Sequence, residues 1–146
     1  FYGDFLAVSP MDEVTGALVG PPFHREDVAA VAAAFRKKGV EHFIITLGEN
    51  GSVAAGAEGI HETPCVRMPH VADPTAAGDS FVAAFCTGVC AGLPQGEALA
   101  FASHTAAITV TRIGAIPSLP TAAEVQALLR ERGYGGFDPA ELDALQ

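Results

Sequence analysis

The chain has 146 residues, a length that fits one domain or part of a larger one. Hydrophobic residues make up 49% and charged residues 17%, ample apolar surface for a packed core, which excludes disorder as the global state. Lys plus Arg number 8 against 17 Asp plus Glu, and the resulting formal charge of −9 excludes a basic footprint for nucleic acid or for an acidic membrane surface. No uninterrupted apolar run reaches the ~20 residues of a bilayer crossing. The chain starts at Phe1 without a visible secretory signal, and its three cysteines, Cys65, Cys86 and Cys90, suit reduced thiols in the cytoplasm. Cys86 and Cys90 lie four apart on a predicted helix; with no His or second pair nearby they read as buried thiols rather than a metal site.

In chain order, residues 4–9 predict a short buried strand, and Pro10 with Asp12 and Glu13 predicts a helix start that Gly20-Pro21-Pro22 closes. From His24 to Lys38, Val28, Val31, Ala32 and Phe35 recur at helical spacing. Acidic residues stand early and basic ones late, and Gly39 is placed as the C-terminal cap. His42 to Leu47 is a non-alternating apolar run, as expected of a strand covered on both faces. Residues 52–55 and 60–66 read as two strands of a hairpin around Gly56 to Gly59. Two Ala-rich helices follow, 79–91 and 95–111, split by Gly92-Leu93-Pro94. A Gly/Pro-bearing loop, 113–120, leads to a helix ending near Arg132, and 138–142 could start one more turn. The alternation of helix and buried strand predicts an α/β fold with a largely parallel sheet flanked by helices.

The stretch Asp73-Pro74-Thr75-Ala76-Ala77-Gly78-Asp79-Ser80-Phe81 carries the chemistry. Small residues leading into a helix leave consecutive backbone N–H groups unobstructed, where the helix dipole also favours negative charge. A carboxylate such as Asp79 beside that anion hole is the arrangement phosphoryl transfer needs: a base for a hydroxyl proton and N–H groups for the charge on the transferring group. The same residues are equally consistent with Asp79 as a first-turn helix acid supported by Ser80. No P-loop, dinucleotide-binding or G-x-S-x-G pattern occurs, and the five histidines show no metal-binding spacing.

Residues 73–79 resemble the D-T-x-G/A-A-G-D signature of the ribokinase-like (PfkB) carbohydrate kinases, with Pro74 where Thr is usual. Ile45 to Gly51 resembles that family's strand and turn beside the nucleotide phosphates, and Phe101 to Ala115, continuing through Pro117-Ser118-Leu119-Pro120, resembles its nucleotide-side helix and loop. The resemblance spans Ser9 to about Leu129 and implies a single partial domain, residues 1–146, forming the C-terminal, ATP-binding half of a ribokinase-like fold with the lid absent. It implies Asp79 as the base, and the N–H groups of Ala76, Ala77, Gly78 and Asp79 as the anion hole around the γ-phosphate. Thr46, Gly48 and Gly51 would border the ATP phosphates and ribose, with Ser103 near the adenine and His104 within reach of it if the helix is rotated. A monovalent cation such as K⁺ would be held at Asp73, Thr75, Arg112, Gly114 and Ser118.

The chain departs from the pattern at Met11 and Val14, which replace the polar pair associated with Mg²⁺ and phosphate handling; Asp12 or Glu13 would substitute if the helix shifts by one residue, and otherwise Mg²⁺ arrives on ATP. Members of the family are longer, and their N-terminal half supplies the sugar pocket and lid. The expectation is therefore an ATP-dependent kinase acting on a sugar or polyol, weakly active or inactive as this chain alone, and pairing with the missing half or as a homodimer. The alternative is a noncatalytic nucleotide-binding or interaction domain.

Overall fold

The computed structural model describes residues 5–8 and 25–134. The helix expected from Pro10, the Met11/Val14 departure and the terminal turn at 138–142 lie outside the described residues. The chain divides into two compact units, residues 1–64 and 65–146.

Among the described residues, the first unit is a four-stranded sheet with one helix. Strand β1 (Phe5–Val8) precedes helix α1 (Arg25–Arg36), and β2 (His42–Thr46), β3 (Ser52–Gly56) and β4 (Gly59–Thr63) follow. The sheet order is β1-β2-β3-β4. β1 runs parallel to β2, with Phe5 opposite His42, whereas β2 with β3 and β3 with β4 are antiparallel. The largely parallel sheet expected from the sequence is thus corrected: two of the three described pairings are antiparallel. The reason is connection length. Parallel neighbours need a crossover of a dozen or more residues, as the α1 segment provides, but only residues 47–51 join β2 to β3, and Ala57 and Glu58 join β3 to β4. β4 ends at Thr63, short of the Val66 expected.

The apolar stripe of α1 explains its packing. Val28 and Ala32, one turn apart, are buried in a cluster with Phe43 and Ile45 of β2 and Val53 and Ala55 of β3. Phe35 stacks on Phe43 at 5.4 Å between ring centroids. Ile44, on the other face of β2, is also buried, in line with its unbroken apolar run.

The second unit is helical: α2 (Ala77–Cys90), α3 (Gln95–Thr109) and α4 (Ala122–Glu131), with a 3₁₀ turn at Ile116–Ser118. α3 is buried nearly all round, from Gln95 and Ala98 through Phe101 to Thr109, and is the core of this unit. α2 packs on it through Phe81, Ala84, Phe85 and Gly88. A Cβ on Gly88 would stand 3.2 Å from Ala98 Cβ and 3.3 Å from Ala98 Cα, so any side chain there would push α3 back by a few tenths of an ångström. α2 closes with Gly92 at φ 92°, the N–H of Gly92 reaching Val89 O and that of Leu93 reaching Gly88 O, a Schellman motif. Among the described residues no helix is long and apolar enough to cross a membrane.

Candidate functional site

The Asp73 to Asp79 stretch is held at its entry by the last turn of α3. The N–H groups of Ala72 and Asp73 both donate to Val110 O, at 2.7 and 3.2 Å. The Asp73 carboxylate then ties two loops together. Its Oδ1 accepts from Thr75 N at 2.9 Å, and its Oδ2 accepts from Gly114 N at 3.1 Å, across 41 residues of chain. Hydrogen bonds from the Thr75 hydroxyl, then from the backbone of Thr75 and of Gly114, hold the Asp73 carboxyl below its ordinary value. Gly114 has φ 90°, a left-handed conformation natural to glycine, which lets the loop after α3 turn back to this carboxylate.

Pro74 O accepts from Ala77 N at 3.2 Å, and Ala76, the residue capping α2, sits at φ 63°, ψ 7°. It is the one non-glycine residue with positive φ among the described residues. This places the start of α2 two residues before the expected Asp79, so that Asp79 is the third residue of the helix and its exposed side chain stands in the first turn. The N–H groups of Ala76, Gly78 and Asp79 have no acceptor among the described residues, nor has the Asp79 carboxylate a partner there. The first turn is fixed from below: Ser80 N donates to Ala76 O, Ser80 Oγ donates to Ala77 O, and buried Thr109 Oγ1 lies 3.1 Å from Ser80 Oγ. A 14-residue helix whose first turn presents open N–H groups is a physical anion receptor.

The remaining expected site residues are placed as follows. Arg112 donates from its guanidinium to Glu124 Oε1 (2.5 Å) and Leu119 O (3.5 Å). Ser118 is fully buried, its Oγ donating to Ala115 O within the 3₁₀ turn. Ser103 is buried on α3. His104 is buried beside it, with Nδ1 2.7 Å from Ala100 O and its ring edge-on to Tyr134. Thr46, Gly48 and Gly51 belong to the first unit, where Thr46 ends β2 and the two glycines flank a 3₁₀ turn at φ 57° and 93°, closed by Leu47 N to Gly51 O at 2.8 Å. Asp73, Thr75 and Gly114 are thus brought together by direct hydrogen bonds. Among the described residues no three His, Cys, Asp or Glu side chains form a metal cluster.

The sequence reading missed Glu124 and Thr121. Thr121 caps α4 through Glu124 N while the Glu124 carboxylate accepts from Thr121 N at 2.8 Å. With Arg112 also on it, the Glu124 carboxyl is lowered to about 2, the Thr121 N–H contributing most. The signal was present as Thr121-Ala122-Ala123-Glu124, a T-x-x-E capping box.

The chain belongs to a known class of protein. The chain matches the pfkB family carbohydrate kinase model over residues 11–122 and is a member of that family. It is 33% identical over 126 residues to a ribokinase of Arabidopsis thaliana, covering 84% of this chain and 33% of that relative. It is 33% identical over 106 residues to a 1-phosphofructokinase of Haemophilus influenzae, covering 72% of this chain and 34% of the relative. The solved structure of Arabidopsis thaliana ribokinase complexed with ribose and ATP matches with a TM-score of 0.72 at 32% identity, over 87% of this chain and 41% of that one. The fold is therefore ribokinase-like α/β, and the chain spans well under half the length of these relatives.

Proposed function

We propose that the chain is the nucleotide-side part of an ATP-dependent carbohydrate kinase that transfers the γ-phosphoryl group of ATP to a hydroxyl of a sugar or polyol. The observation that supports this most is the unpartnered Asp79 carboxylate in the same helical turn as the open N–H groups of Gly78 and Asp79. In that reading Asp79 takes the proton of the acceptor hydroxyl as its oxygen bonds to phosphorus. The bond from the γ-phosphorus to the bridging oxygen breaks and ADP leaves, while the N–H groups of Ala76, Gly78 and Asp79 stabilise the charge on the transferring group. Ala77 contributes through the turn it closes on Pro74.

Mg²⁺, arriving on ATP, would supply neutralisation of phosphate charge, held mainly by phosphate oxygens and water. A monovalent cation such as K⁺ would be held by Asp73, with Thr75, Arg112, Gly114 and Ser118 acting through their carbonyls. The Asp73 carboxylate accepts from the Thr75 hydroxyl and from the N–H groups of Thr75 and Gly114, which leaves one of its about four lone-pair sites for such an ion. The turn bearing Thr46, Gly48 and Gly51 and the buried Ser103 are assigned to the nucleotide by the family pattern. The acceptor pocket belongs to the part of the relatives' length that this chain does not span, so the proposed partner is that sugar-side half or a second copy. The second reading is a noncatalytic nucleotide-binding or interaction domain.

Calorimetric titration of ATP with Mg²⁺ and K⁺ tests the reading. The chain binds ATP, Asp73→Ala weakens binding, and Asp79→Asn leaves binding intact or tighter, because a negative charge leaves the phosphate site. Phosphoryl transfer to ribose by the chain alone is weak or absent. A folded chain that binds no ATP, or an Asp79→Asn variant that loses binding as Asp73→Ala does, counts against it.

A further inference from the structure

The sequence reading placed Cys86 and Cys90 in the core. The structure corrects this: Cys86 is half-buried and Cys90 is exposed. The face of α2 that packs inward is made by Phe81, Ala84, Phe85 and Gly88, whereas Cys86 and Cys90 stand four residues apart on another side of the helix. Residues at that spacing are neighbours on adjacent turns, with Cβ atoms about 5–6 Å apart.

That separation decides what the pair can do. A disulfide needs Cβ atoms roughly 3.5–4.5 Å apart, so closing one would require the last turn of α2 to unwind. The turn resists this. It is locked by the hydrogen bonds from Ala91, Gly92 and Leu93 to Thr87, Val89 and Gly88, and Leu93, buried, lies against Gly88. The pair is therefore held as an open dithiol. Its position at the carboxyl end of a 14-residue helix sets the second constraint, since carbonyl dipoles there disfavour two free thiolates and keep both thiols protonated until a cation displaces the protons. Consistently, burial raises the Cys86 thiol and the neighbouring Cys90 raises it further.

We propose that Cys86 and Cys90 form a two-thiolate site for one soft, thiophilic cation of the monovalent copper class. Thiolate sulfur selects such ions over hard ones. A linear S–metal–S bridge spans a gap too wide for an S–S bond. Zinc would require four ligands, and among the described residues no third His, Cys, Asp or Glu joins the pair. Binding releases two protons, one from each thiol, as two Cu–S bonds form; no electron is transferred. Ligation would clamp the last turn of the helix whose first turn carries Asp79.

The test is anaerobic titration of the reduced chain with Cu⁺ held by the coloured chelator bicinchoninate, with size-exclusion chromatography of the loaded protein. The expected result is withdrawal of one Cu⁺ per chain by a monomer, with an ultraviolet thiolate-to-copper band. Cys65→Ser retains both; Cys90→Ser loses both with unchanged far-ultraviolet circular dichroism. The exposed Cys90 position keeps the test readable even where Cys86→Ser impairs folding. Retention of Cu⁺ by Cys90→Ser, its loss in Cys65→Ser, a copper-bridged dimer, or no competition with the chelator overturns the proposal.

Discussion

At the scale of single residues, Ala76 carries a conformation that its side chain opposes. With φ 63° the Cβ crowds the following carbonyl, at a cost of roughly 1–2 kcal/mol, partly offset because alanine restricts the unfolded chain more than glycine. Ala76→Gly should raise stability by up to about 1 kcal/mol in denaturant unfolding, and the β-branched Ala76→Val should lower it. His104 gives a pH signature. Burial lowers its folded-state value below the ordinary 6.5, against a smaller raising effect of the Ala100 carbonyl, so the fold prefers the neutral ring. The unfolded chain then binds the proton more readily, and stability is lost as pH falls through 6.5 toward the folded value. Thermal melts from pH 8 to 5.5 should show a decline that His104→Gln flattens. Asp73 and Glu124, both depressed, lose their contributions only at more acidic pH, below their ordinary carboxyl range.

At the scale of elements, the crossing of α2 and α3 depends on the absence of a side chain at Gly88. Because one of the atoms a Cβ would meet is the backbone Cα of Ala98, the neighbour cannot simply rotate away. Gly88→Val should cost about 2 kcal/mol by overpacking, read as a shift of the unfolding midpoint at unchanged slope. The cap of α4 is the milder case: Thr121→Ala should cost about 1 kcal/mol. Elements governed by local signals were legible in the sequence. α1 lies within the predicted His24 to Lys38 segment, and the hairpin of β3 and β4 formed around the predicted glycines. What the sequence did not show is set by distant partners. The antiparallel run of β3 beside β2 depends on a five-residue turn that composition does not reveal as a reversal, and the exposure of Cys90 depends on which side of α2 meets α3. The link from Asp73 to Gly114 joins residues 41 apart, and the motif could suggest a shared role without showing that the bond uses the Gly114 N–H.

At the scale of the molecule, charge sets the terms on which a nucleotide is met. A chain of formal charge −9 repels free ATP, and the first turn of α2 offers N–H dipoles plus a negative side chain, Asp79, with no cationic side chain bonded to it among the described residues. The guanidinium of Arg112, in the loop after α3, is engaged by Glu124. The proposed site therefore depends on charge being cancelled before arrival. Mg²⁺-bound ATP should bind more tightly than metal-free ATP, and the gap should narrow as added monovalent salt shortens the screening length to ~8 Å and below. Asp79→Asn should narrow it too, by removing the negative group beside the phosphates. Titrations with and without Mg²⁺ at two ionic strengths check this. Equal affinity for both forms at low salt would mean that some of the chain's eight Lys and Arg side chains meet the phosphates, and the anion hole of α2 would not be their principal support.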